Sequence, residues 1–286
     1  MTPAPEDMRP PLENDAWGMV GLDIDGTLMH WGGDISPAVI RAVEQVRMCR
    51  NHVILATGRN ILGTLPVAET LGIRRGWAVC SNGAVTIRLN PATPGATTSS
   101  RPSPLTRVPH WSWCAGRCPM RSWPWRIWAS ASASARSSPW VSLVGRQRVV
   151  EDPEELAAGE ATRVVIRAPG ADVSHFDDLV HRIGLSDVTY AVGFDAWLDL
   201  TPPNVSKASA LEHLRQQLGV YPDHTVAVGD GNNDIEMLRW AGRSAAMGTA
   251  PQQVRDAADE VVGSVQEDGI LAVLERMIDP DRLAVL

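Results

Sequence analysis

The chain has 286 residues, 44% of them hydrophobic, and a formal net charge of −7. That length supports a sizeable core in one large domain or two small ones, and the acidic balance argues against a nucleic-acid partner, which needs a basic face. Four cysteines, Cys49, Cys80, Cys114 and Cys118, are too few for a disulfide scaffold, and no run approaches the ~20 apolar residues of a membrane span. The expectation is a soluble, cytoplasmic protein with no membrane contact.

Residues 1–17 are rich in Pro and acids, lack an apolar leader core, and read as a disordered tail. The apolar run from Gly18 to Ile24 predicts a buried strand that ends at Asp23 and Asp25. Ser36 and Pro37 supply an N-cap and first turn for a helix to about Met48. A strand over His52–Ala56, a helix from about Ile61 to Leu71 and a strand over Trp77–Cys80 follow. Strand–helix–strand–helix–strand implies a parallel sheet with right-handed crossovers. The end of the chain repeats the rhythm: a helix over about Val205–Leu218, a strand at His224–Val228, a short helix at Asn233–Trp240, a strand at Ser244–Met247, and helices near 251–257 and 268–277. Residues 18–85 and 196–286 therefore read as two parts of one doubly wound, Rossmann-like α/β core. An insertion over 86–195 separates them.

The second half of the insertion carries a strand at Ala161–Ile166, a helix at Val173–Ile183 and strands at Val188–Val192 and Ala196–Leu200. Its first half is anomalous. No Asp or Glu occurs between Glu69 and Glu151, where about nine would match the chain average, and six of the 11 tryptophans lie between Trp111 and Trp140. Neither helical nor strand periodicity is visible near Trp123–Trp128 or Ala129–Arg136. A translation of about 96–138 in the wrong reading frame would account for this. Cys118–Ala133 admits a choice of codons that, shifted by one base, reads Met-Pro-Asp-Ala-Val-Leu-Ala-Val-Glu-Asp-Leu-Gly-Ile-Gly-Phe-Arg, an ordinary globular sequence with its acids restored. The alternative is a genuine Trp/Arg/Ser-rich loop. Cys114 and Cys118, with His110 nearby, lack the second pair that a zinc site needs.

Four short segments carry chemistry. Asp23 and Asp25 lie two apart after a buried strand, so an extended chain points both to one side. A carboxylate pair can divide nucleophile from proton donor. Thr57 and Gly58 end the second strand, where a hydroxyl and backbone N–H groups suit a phosphate oxygen; an ordinary helix N-cap is the plainer reading. Lys207 is the only lysine in a chain with 25 arginines. A compact, rotatable ammonium is something arginine cannot replace. Asp230 and Asp234, within Gly229-Asp-Gly-Asn-Asn-Asp234, suit an oxygen-ligated hard cation, although a capped polar turn would look similar. All four face the carboxyl edge of one predicted sheet, where open α/β folds bind ligands.

Together these segments resemble the signature motifs of the haloacid dehalogenase-like hydrolase superfamily. Ser81-Asn-Gly-Ala84, Ala246-Met-Gly-Thr-Ala250 and the Ala258–Val262 to Gly269 ending resemble its Cof-type subfamily, which inserts an α/β cap domain into the core. The resemblance implies a Mg²⁺-dependent phosphomonoester hydrolase for a small phosphorylated metabolite: a sugar phosphate, nucleotide or cofactor precursor. It implies Asp23 as nucleophile and metal ligand, and Asp25 as acid/base with its backbone carbonyl on the metal. Thr57, Gly58, Lys207 and Asn233 would bind phosphate or substrate, Asp230 would ligate Mg²⁺, and Asp234 and Asn204 would support the site. A phosphomutase with the same intermediate, or a non-catalytic protein with a damaged cap, are the alternatives.

Overall fold

The computed structural model describes residues 18–30, 33–90, 201 and 204–278, together with the strand segments 97–98, 126–130, 163–167, 189–193 and 197–200. The expected tail, the helix at Val173–Ile183 and most of 96–138 lie outside the described residues.

β1 (Met19–Leu22) is buried along its whole length, as a central parallel strand covered on both faces must be. It lies between β2 (His52–Ala56) and β10 (Thr225–Gly229), parallel to both. On one side β3 (Gly76–Cys80) continues the parallel sheet; β11 (Arg243–Ala246) and β12 (Glu260–Val261) continue it on the other. β4 (Val85–Leu89) turns back antiparallel against β3, and the two-residue β5 (Thr97–Thr98) pairs antiparallel with β4. The order among the described residues is β12-β11-β10-β1-β2-β3-β4-β5. The core sheet thus extends through β4 and β5 into residues 86–98, where the insertion was expected to have begun.

The pleat divides the core. Val20, Leu22, Val53 and Leu55 face α1 (Pro37–Met48), whose buried stripe is Val39, Ala42, Val43 and Val46. Val67 and Ala68 of α2 (Ile61–Thr70) and Val273 and Leu274 near the C-terminal end pack on the same side. Met19, Ile54, Ala56, Trp77 and Val79 face the opposite layer. That layer contains Leu211 and Leu214 of α3 (Lys207–Gln217) and Met237 and Leu238 of α4 (Ile235–Trp240). Ser36 caps α1 as expected, its Oγ accepting from the Ala38 amide at 3.2 Å, with Pro37 in the first turn.

A second, antiparallel sheet is formed by β6 (Arg126–Ser130), β7 (Arg163–Arg167), β8 (Thr189–Gly193) and β9 (Trp197–Thr201), in the order β6-β7-β9-β8. β6 falls in the stretch that showed no strand periodicity. Pairing with β7 uses backbone groups alone, and these need no alternating side chains. Among the described residues, no helix is long and apolar enough to cross a membrane.

Candidate active site

Asp23, Thr57 and Asp230 leave the carboxyl ends of three adjacent parallel strands. Leu22 lies opposite Leu55 and Val228, and the Asp23 amide donates to the Val228 carbonyl at 3.0 Å. The chain then turns at Gly26, where φ is +82° and a Cβ would overlap the Asp230 carboxylate. Only glycine permits so close an approach. Thr27 follows, fully buried, and its Oγ1 donates to Asp230 Oδ1 at 3.2 Å.

Lys207 opens α3 behind a Ser206 N-cap that forms a reciprocal pair with Ser209. Its ammonium is buried and bridges two carboxylates, Asp23 Oδ1 at 2.6 Å and Asp234 Oδ1 at 2.7 Å. The second oxygen of Asp234 is taken up by the neighbouring loop. Its Oδ2 accepts from the Asp230 amide at 3.1 Å and the Gly231 amide at 2.9 Å. Oxygens of Asp23, Asp230 and Asp234 all lie within 4.8 Å of one another.

Burial pushes the Asp23 carboxyl well above its ordinary value, although Lys207 opposes the shift. Burial, then the charge of Asp234, raises Asp230 to about 7. For Lys207 burial works against the ammonium, but Asp23 and Asp234 outweigh it and the net shift is upward. Three buried carboxylates against one buried ammonium leave surplus negative charge in a poorly hydrated place. A divalent cation fits that deficit. Asp23 and Asp230 each keep an oxygen outside the hydrogen bonds described, so these two side chains suit it as ligands. Asp234, with both oxygens already hydrogen-bonded, orients Lys207 and the Asp230 turn.

The cap of α2 is Asn60, whose side chain accepts from the Gly63 amide at 2.9 Å. Thr57 is therefore not the helix N-cap. Its Oγ1 accepts from the Arg59 amide at 3.0 Å, and its carbonyl accepts from Asn82 N at 3.0 Å. Ser81 and Asn82 both adopt left-handed backbone (φ 51° and 53°). At Gly83 (φ +101°) a Cβ would collide with the Ser206 carbonyl, so the tip of β3 is pressed against the start of α3. Asn233 Nδ2 donates to Asn82 Oδ1 at 2.9 Å, joining the Asp230 loop to this tip. Asn204 stands apart. It is exposed on a turn with φ 60°, and among the described residues no hydrogen bond joins it to the cluster.

Thr27, Arg59 and Asn82 lie within the motifs read from the sequence, but no side-chain role was assigned to them. Arg59 pairs with Asp25 through Nε–Oδ2 at 2.9 Å and Nη2–Oδ1 at 2.6 Å. Its place beside Thr57-Gly58 was the available signal; the partner, 34 residues away, was not readable.

Residues 20–99 and 144–274 match the model of a family described as haloacid dehalogenase-like hydrolase. The unmatched interval overlaps the acid-free stretch. A phosphoglycolate phosphatase of Natronomonas pharaonis is 27% identical over 265 residues, covering 91% of this chain and 97% of that protein. A solved haloacid dehalogenase-like hydrolase from Bacillus subtilis superposes with a TM-score of 0.73 at 20% identity, covering 90% of this chain and 99% of the other. A sugar phosphatase of haloacid dehalogenase subclass IIB superposes with a TM-score of 0.71 at 22% identity, covering 91% and 98%. At these identities the superpositions speak for the fold.

Proposed function

The chain belongs to the haloacid dehalogenase-like hydrolase family, and from that premise we propose that it is a phosphatase that hydrolyses a small phosphorylated metabolite through an aspartyl-phosphate on Asp23. The observation that carries this reading is the buried Asp23 carboxylate beside Lys207 and Asp230, at the open edge of the sheet. A carboxylate nucleophile, a fixed cation for phosphoryl oxygens and a second carboxylate for a metal are what phosphoryl transfer through a covalent intermediate needs.

Asp23 attacks phosphorus, the bond to the ester oxygen breaks, and the departing alcohol takes a proton from Asp25. Asp25 then removes a proton from a water that attacks the acyl-phosphate, releasing phosphate and restoring Asp23. Lys207, the Thr57 hydroxyl and the Gly58 amide hold the phosphoryl oxygens, with Asn233 at the rim. Asp23, Asp230 and the Asp25 carbonyl would hold Mg²⁺, which would neutralise charge on those oxygens. The insertion between β5 and α3, which carries the second sheet, would as a cap select the substrate. The relatives' names bear on that choice only as classes: a phosphoglycolate and a sugar phosphate are both small and polar.

The test is release of phosphate from an aryl phosphate and from a panel of small phosphate esters, with and without Mg²⁺. Metal-dependent turnover that disappears in Asp23→Asn supports the reading. Undiminished turnover in that variant refutes it.

A further inference from the structure

Asp25 is the most exposed carboxylate of the site, its side chain 41% accessible, yet it is held more tightly than a surface acid usually is. Arg59 grips both of its oxygens in a bidentate fork, at 2.9 and 2.6 Å. Such a fork fixes the carboxylate plane as well as its place, which a single ammonium contact does not.

Arg59 is itself immobilised. Its amide donates to Thr57 Oγ1 at 3.0 Å, its carbonyl accepts from Ser81 N at 2.8 Å, and its Nη1 donates to the Gly63 carbonyl at 3.3 Å. The chain that carries Arg59 is thus the chain that positions Thr57, and the two loops at the site's mouth are registered through this pair. A carboxylate oxygen has two lone pairs, and the fork uses one on each oxygen. The other stays available to a leaving-group oxygen or a water.

We propose that Arg59 is the positioning residue for Asp25, setting the orientation from which this carboxyl exchanges protons in both half-reactions. This rests on the acid–base reading of Asp25 given above. In the first half-reaction the P–O bond to the alcohol breaks as the alcohol oxygen takes the Asp25 proton. In the second a water gives its proton to Asp25 as its oxygen bonds to phosphorus. Arg59 exchanges no proton in either step.

The experiment compares kcat/KM for an alkyl phosphate, whose alkoxide must be protonated as it leaves, with that for p-nitrophenyl phosphate, whose phenolate need not be. In Arg59→Gln the alkyl value falls about tenfold to hundredfold, a share of the 10²–10⁴ that general acid catalysis supplies, while the aryl value stays within about threefold. Inhibition by inorganic phosphate is unchanged, and Asp25→Asn/Arg59→Gln loses no more than Asp25→Asn alone. Arg59→Lys, which keeps the charge and loses the fork, shows the same selectivity at smaller size, and it carries the test should Arg59→Gln fail to fold.

Equal loss on the two esters, or weakened phosphate inhibition, would make Arg59 a direct phosphate ligand and overturn the proposal. Asp25→Asn separates the two levels. If it is itself unselective between the esters, the acid–base reading of Asp25 fails; if it is selective and Arg59→Gln is not, only the positioning role fails.

Discussion

Replacing Asp230 by Asn should stabilise the metal-free protein while destroying its function. The Asp230 carboxyl is raised from 3.8 to about 7, first by burial and then by Asp234. A carboxyl with a raised folded value keeps a proton in the native state over a range in which the unfolded chain has lost it. Stability is therefore complete below about pH 4 and falls as pH rises toward 7. A shift of roughly three units at about 1.4 kcal/mol each makes the penalty roughly 4 kcal/mol at pH 8. Asn removes the charge and keeps an oxygen that can accept from Thr27 Oγ1. At roughly 2–4 °C per kcal/mol for a chain of this size, the metal-free variant should melt on the order of 10 °C above the parent at pH 8. At pH 4 the two should nearly coincide. Mg²⁺ should raise the parent's melting temperature and leave the variant's unchanged. The assay is thermal denaturation followed by circular dichroism at pH 4, 6 and 8, in chelator and in excess Mg²⁺. An Asp230→Asn protein that melts below the parent in chelator at pH 8 would refute the charge-surplus argument.

Lys207→Ala leaves Asp23 and Asp234 buried without their cation, so it should cost about 3–5 kcal/mol of stability, read in urea denaturation, as well as abolish turnover. Gly83→Ala drives a Cβ into the Ser206 carbonyl at a left-handed φ; a melting temperature lowered by several degrees, with the loss of activity exceeding the loss of fold, is expected. The gene's nucleotide sequence across codons 96–138 should show an open, acid-containing reading in a shifted frame, and stop codons there would leave the Trp-rich stretch genuine.

The central strands and the site's charged members were legible because each declares itself locally. Gly18–Ile24 is an apolar run that stops at two carboxylates, and Lys207 stands out against a background of arginine. The parallel order followed from strand–helix alternation. β4 was harder. The sequence reading assigned no strand there, although Val85, Ile87 and Leu89 alternate with Thr86 and Arg88 and Asn82-Gly83, both at positive φ, is a strong hairpin signal after β3. The Arg59–Asp25 fork, the Asn233–Asn82 bridge and the Thr27–Asp230 bond were invisible for another reason. Each joins groups far apart in sequence, and polar pairing has no periodicity to read. The Asn60 cap resolved an ambiguity at Thr57 that the sequence left open, because either residue type can cap a helix.

The central claim is that phosphorus passes through a covalent bond to Asp23. A single-turnover reaction with a phosphate ester and Mg²⁺, quenched rapidly in acid and reduced with borohydride, converts an aspartyl-phosphate to homoserine. Peptide mass spectrometry should find homoserine at position 23 alone, and only in protein that saw substrate. Modification at another residue, or unmodified Asp23 at every quench time in a protein that turns over, would contradict the account.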